Sequence, residues 1–169
     1  DWNPSHFLDV AEMTMGVASG YDWLYDALSP ESRARIRNAM IEKGLKPSLD
    51  SRYNSWLKAS HNWNQVCNAG MTFGALAIYD EDKDLARQLI TRASGSITLP
   101  MADYQPDGAY PEGYSYWGYG TSFNIMYLSA IEKAFGENSG VTINEGFFKT
   151  AGYLANMAGP SGIPFNYSD

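Results

Sequence analysis

The sequence predicts an all-α fold built from antiparallel helix pairs, and three observations point there. Apolar residues return at helical spacing in six segments, no segment before the tail alternates as a strand does, and turn residues separate the segments. From Phe7 to Leu28 the apolar positions are Val10, Met13, Val17, Tyr21, Leu24 and Leu28. Ser29-Pro30-Glu31 then supplies a cap, a proline at the first helical position and an acid in the first turn. The helix that follows carries Ile36, Met40 and Ile41 and is expected to stop near Gly44 or Pro47. A third runs from Trp63 to Tyr79, rich in Ala and Gly, the composition of a helix packed tightly on several sides. Asp80-Glu81-Asp82 opens a fourth through Leu85, Leu89 and Ile90. A fifth runs from Tyr116 or Tyr119 to Phe135, and a sixth from Asn144 to Met157 with Phe147, Phe148, Ala151 and Leu154 on one face. The last stretch, from Gly159 to Tyr167, reads as loop or a single extended piece.

Composition narrows the function. The chain has 169 residues, 44% of them hydrophobic and 14% aromatic, which is one globular domain with a sizeable core. Its formal net charge of -7 argues against a nucleic-acid partner, which needs a basic surface. An anionic substrate remains compatible, because a site can be locally positive inside an acidic protein. Arg52, Lys58, Arg87 and Arg92 are the residues that could make it so, although each reads first as solvated surface charge. The single cysteine, Cys67, forms no intrachain disulfide and reads as a small buried residue. No stretch is long and apolar enough to cross a bilayer. The chain begins at Asp1 without a methionine and ends abruptly at Tyr167-Ser168-Asp169, as expected of a piece excised from a longer polypeptide. With two histidines and one cysteine, no metal or other cofactor is expected.

Two long connections, 46–61 and 94–115, hold the unusual chemistry, and long loops in compact helical domains often carry function. The stretch Gln105–Ser122 packs five aromatic rings, two carboxylates and four glycines into eighteen residues. Rings with polar tips suit a sugar, which has an apolar face and a rim of hydroxyls. Tyr116 and Tyr119, three apart, are expected on one helical face at the end that opens toward the loop. Asp107-Gly108 reads as a turn. Ser60-His61-Asn62-Trp63-Asn64-Gln65 stands at the start of the third helix, where free backbone N–H groups and the positive dipole end favour a carboxylate. Asn62 reads equally well as an N-cap, and Trp63 as a core anchor. Asp103, Asp107 and Glu112 could form a carboxylate pair for glycoside hydrolysis, while His6 reads as structural.

Taken together, His61-Asn62-Trp63-Asn64-Gln65-Val66-Cys67-Asn68-Ala69-Gly70 and the segment from Asp107 to Gly120 resemble the toroid-fold polysaccharide lyases, the heparinase II/III-like and alginate lyase group. The resemblance implies that residues 1–158 form part of an (α/α) toroid, an incomplete barrel. Residues 159–169 would lead toward a β-sandwich domain of the same protein. It also implies a periplasmic or secreted bacterial protein acting on an anionic polysaccharide such as a glycosaminoglycan. Asn62 matches the asparagine that contacts the uronate carboxylate. Tyr119 matches the proton-transferring tyrosine, with Tyr116 the competing assignment. Alginate lyases carry a histidine after that asparagine; here it is replaced by Trp63 or Asn64, or shifted to His61.

On this resemblance, Asn62 and Asn64 donate to the carboxylate and its enolate-like intermediate, and Tyr119 acts as general acid. A tyrosine has an ordinary pKa of about 10, so service as a base would need a positive neighbour, supplied by His61, Arg52, Lys58 or a histidine outside this chain. Trp63, Gln65, Glu112, Tyr114, Tyr116 and Trp117 would line the sugar subsites. Two rival readings stand: an α/α-barrel glycoside hydrolase with Asp107 or Glu112 as acid, and a non-catalytic carbohydrate-binding module.

Overall fold

A computed structural model describes residues 1–136 and 143–167; Ser168 and Asp169, the end of the expected tail, lie outside them. The fold is all-helical, with no strand among the described residues beyond one isolated bridge, Ala158 to Pro164. The helices are α1 (Phe7–Trp23), α2 (Pro30–Met40), α3 (Asn62–Ala77), α4 (Lys83–Ser96), α5 (Thr98–Ala102), α6 (Gly113–Phe135) and α7 (Glu145–Asn156). Among the described residues, no helix is long and apolar enough to cross a membrane.

Local signals set several helix starts. The Ser29 side chain accepts from Ser32 N–H with Pro30 in the first turn, Asp82 accepts from Leu85 N–H, and Asn144 accepts from Phe147 N–H. After Met40, α2 widens into a π turn over Ile41–Leu45 and then tightens into a 3₁₀ turn over Lys46–Leu49, close to the expected stop.

Packing redraws some expected faces. In α1 the buried stripe is Phe7, Val10, Ala11, Thr14, Ala18 and Tyr21, whereas Met13 and Leu24 are exposed. Thr14 can be buried because its hydroxyl donates to the Val10 carbonyl at 2.6 Å. In α7 the face is Gly146, Phe147 and Thr150, turned onto the backbone of Tyr104 and Gly108, and Phe148 is 72% exposed. Large size alone did not decide which phenylalanine went inside.

The core is organised around α3, which packs against α1, α4 and α6 and is buried along most of its length. Gly70 meets Ala11 and Gly74 meets Thr14, so α1 and α3 run in the same direction. Asn62 and Gln65 meet Gly120, while Ala69 clusters with Tyr127 and Ile131, so α3 and α6 also run in the same direction. α2 and α4 return antiparallel to α1 and α3; Ser96, at the end of α4, bonds Asn64 and Asn68 near the start of α3. The parallel register gathers the N-terminal ends of α1, α3 and α6 at one end of the molecule. α7 departs from the expected pairing. It docks on the 104–110 loop through Phe147 against Tyr104 and Thr150 against the Gly108 carbonyl.

Candidate carboxylate site at the start of α3

α3 begins one residue earlier than the apolar spacing suggests. His61 occupies the N-cap position without a side-chain capping bond, and Asn62 is the first helical residue. Asn62 is therefore not the N-cap. Its backbone N–H, one of the donors that a helix start leaves without an intrahelical partner, points outward. That N–H donates to Glu112 Oε2 at 2.8 Å, and Asn62 Nδ2 donates to Glu112 Oε1 at 2.7 Å. The Tyr110 hydroxyl adds a third bond, to Oε2 at 2.7 Å. Three donors thus seat one carboxylate on the positive end of α3. The seated group is the chain's own Glu112. Asn62 is only 3% exposed, and its Oδ1 is buried without a partner.

A buried network stands behind the seat. Gln65 Nε2 donates to the Tyr104 hydroxyl at 3.0 Å, Gln65 Oε1 lies 3.0 Å from the Tyr110 hydroxyl, and the Tyr104 and Thr121 hydroxyls are 2.7 Å apart. α6 comes close enough to share this network because residue 120 is glycine. A Cβ there would stand 2.2 Å from Gln65 Oε1 and 3.2 Å from Asn62 Cβ. Burial pushes the Tyr104 and Tyr110 hydroxyls above the usual phenol range, and the Glu112 charge raises both further. Tyr110 therefore stays a donor at neutral pH.

The two candidate tyrosines part company. α6 opens at Gly113, not at Tyr116 or Tyr119, so both lie inside the helix. Residues three apart on a helix differ by about 60° in direction, and here that angle separates two environments. Tyr119 packs beside Phe123 on the α1 side, and its hydroxyl donates to Glu12 of α1. Burial first, then the bond to Glu12, pushes its pKa well above the usual phenol range. Its neighbour is a carboxylate where a basic role would need a cation. Tyr116 packs against the cluster of Met101, Tyr104, Tyr110 and Phe147. It shares the helical face of Gly120, four residues on, and so stands on the seat's side of α6.

No family model matches this chain, and no curated protein matches it.

The remaining expected residues scatter. His61 is exposed beside Asp103, whose carboxyl is pushed up by burial and by the Glu112 charge and drawn down by His61. Asp103, Gln105, Tyr110, Pro111 and Tyr167 line a cleft of about 480 Å³ next to the seat. Trp63 is half-buried, edge-on to His6 at 5.0 Å. Tyr114 stands 6.2 Å from Trp117, ring to ring.

Three expectations are corrected by packing. Asn64 is fully buried, with its amide donating to the Ala59 carbonyl and to Ser96, so it ties α3 to α4 and does not face a substrate. Gln65 is fully buried too and orders the tyrosines instead of a sugar. Trp117 turns toward α7, where its Nε1 donates to Thr150 Oγ1 at 2.7 Å. Arg52 is exposed and paired with Asp50 at 2.6 Å, which holds the Asp50 carboxyl at about 2. Asp107 accepts from Ala109 N–H as a turn residue. Cys67 is fully buried and its thiol is pushed up by burial.

Tyr110 and Glu12 went unmarked in the sequence. Tyr110, two residues from Glu112 inside a loop already rich in rings, could have been found from that adjacency. Glu12 looks like any solvent-facing acid on an amphipathic helix, and nothing local distinguishes it. Among the described residues, no group of three or more His, Cys, Asp or Glu is placed to hold a metal ion.

Proposed function

We propose that this chain is the helical domain of a polysaccharide lyase that cleaves uronate-containing glycans by β-elimination. The observation that carries the reading is the seat at the start of α3, where Asn62 N–H, Asn62 Nδ2 and the Tyr110 hydroxyl recognise a carboxylate at 2.7–2.8 Å. The parallel run of α1, α3 and α6, with α2 and α4 returning outside, is the arrangement an (α/α) toroid uses and supports that finer architecture. A β-sandwich domain of the same protein would face the gathered N-terminal ends.

The reaction has three requirements. Donors at the seat draw charge from the uronate carboxylate, so the C5 proton becomes acidic. A base, His61 or a histidine from the facing domain, takes that proton. The electron pair forms the C4–C5 double bond, the C4–O bond breaks, and a tyrosine gives its proton to the leaving oxygen. Tyr116 is the better placed donor, because it adjoins the seat while the Tyr119 hydroxyl is engaged by Glu12. The raised pKa of Tyr119 suits it to stay protonated, as an acid and not as a base. Arg52, paired with Asp50, contributes little charge.

The test is to incubate the whole native polypeptide with heparan, hyaluronate and alginate and to follow the unsaturated uronate by its ultraviolet absorbance. Tyr116→Phe should lower the rate by about 10²–10⁴, and Asn62→Ala should do likewise. Absence of unsaturated product from every uronate polymer sinks the proposal.

A hydrolase is the second reading, favoured by Asp103, a carboxyl with raised proton affinity at the lip of the cleft. Glu112 suits the acid role less well, because both of its oxygens already accept hydrogen bonds. This reading predicts a cleaved product without the double bond, and loss of activity in Asp103→Asn.

A further inference from the structure

We propose that Glu112 is a resident stand-in for the substrate's carboxylate, and that a uronate binds at the start of α3 by exchanging with it. The proposal rests on the lyase reading for its ligand class, and on the seat's own geometry for the exchange.

Three observations carry it. First, the seat's contacts are those of carboxylate recognition in full: a helix N-terminal N–H, a side-chain amide and a phenol all donate to Glu112. Second, Asn62 is 3% exposed yet leaves its Oδ1 buried without a partner. Buried polar atoms normally find one, so the seat with Glu112 in place is not fully matched. A sugar ring brings what Glu112 lacks, a hydroxyl beside its carboxylate that can donate to Oδ1. Third, Glu112 is only partly buried, so solvent reaches the carboxylate where it sits. It lies between Pro111, which lines the cleft, and Gly113, whose φ of +87° is one that residues with side chains rarely adopt.

The exchange makes Glu112 a specificity element. A neutral sugar cannot replace a carboxylate on three donors, whereas a uronate can. The seat therefore remains matched in charge whether or not substrate is bound, and only an anionic sugar competes for it.

The experiment is calorimetric titration of D-glucuronate, with D-glucose as neutral control, into the native polypeptide and into Glu112→Gln and Glu112→Ala. Both variants should bind glucuronate about tenfold more tightly than the native chain, the scale of one charge-assisted hydrogen bond gained or lost. Adding Asn62→Ala to Glu112→Gln should abolish the gain, and glucose should show none. Glu112→Gln keeps the side chain's shape, so it serves if Glu112→Ala does not fold. A Glu112→Gln protein with native circular dichroism that binds glucuronate no more tightly than the native chain overturns the exchange. Because the monosaccharide cannot be cleaved, the two ideas fail separately. Unsaturated product without the gain in binding rejects the exchange and keeps elimination. A gain in binding without product from any polymer keeps the exchange and rejects elimination.

Discussion

The two ends of the parallel trio α1, α3 and α6 are built from the same helices and differ in almost everything else. At their N-terminal ends, buried amides and phenols converge on a carboxylate, and the adjoining cleft is about 480 Å³. At the C-terminal ends of the same helices lies a larger hollow of about 780 Å³. It is walled mainly by Ala18, Trp23, Phe73, Ala77, Ile125 and Phe135. The larger hollow holds none of the converging hydrogen-bond donors. Hollow size and convergence of donors are therefore separate properties of this fold. A helix start leaves N–H groups in need of acceptors, and polar side chains gather where that need exists.

The comparison can be broken most forcefully at Gln65, which links Tyr104 and Tyr110 behind the seat. Gln65→Leu should cost about 3 kcal/mol in urea denaturation, since buried polar partners left unpaired cost about 1–3 kcal/mol each. A loss under about 1 kcal/mol would mean that the network does not organise the polar end.

Tyr119 tests the bridge between α1 and α6 through its bond to Glu12. Tyr119→Phe should lower stability by about 1 kcal/mol, the net worth of an ordinary hydrogen bond. The same pair of proteins checks ionisation. With its folded pKa raised, Tyr119 remains a phenol after free tyrosines begin to titrate, so near pH 10 the native chain and Tyr119→Phe should show about equal phenolate absorbance. A clear deficit in the variant would show that Tyr119 ionises normally.

Asp103 sharpens the electrostatic side. Its carboxyl is raised in the fold above the ordinary 3.8, first by burial and then by Glu112. Folding thus favours its protonated form. The resulting cost is absent below the unfolded value and appears as pH rises through the folded one. Asp103→Asn should raise the melting temperature at neutral pH, and the gain should vanish by about pH 3. A gain independent of pH would point to packing instead of charge.

The smallest effect belongs to the apolar end. Trp23 is 83% exposed, so Trp23→Ser should change stability by no more than about 0.5 kcal/mol in the same urea assay. A larger loss would mean that this end is a packed part of the core and not an open hollow.

Much of the fold was legible in the sequence because helix signals are local. Ser29-Pro30, Asp82 and Asn144 act on residues three positions away, and their helices begin where those signals stand. The short α5, inside the expected 94–115 loop, was not legible: its five residues are too few to show a period. Within the site, Asn62 and Glu112 were both marked by the sequence, but their bond joins residues fifty positions apart. Asn64 and Gln65 carried the same polar signal as Asn62, yet they face α4 and α6.

By itself the sequence determined that the protein is helical, that its formal net charge is -7, and that two polar, ring-rich stretches stand at helix starts. Those properties depend on composition and on neighbours within a turn or two. Only the tertiary structure decided that Glu112 sits on Asn62, that Tyr116 and Tyr119 face different neighbours, and that the 780 Å³ hollow lies away from the converging donors. A side chain's direction on a buried helix follows from which helices surround it, and that arrangement depends on contacts between distant parts of the chain.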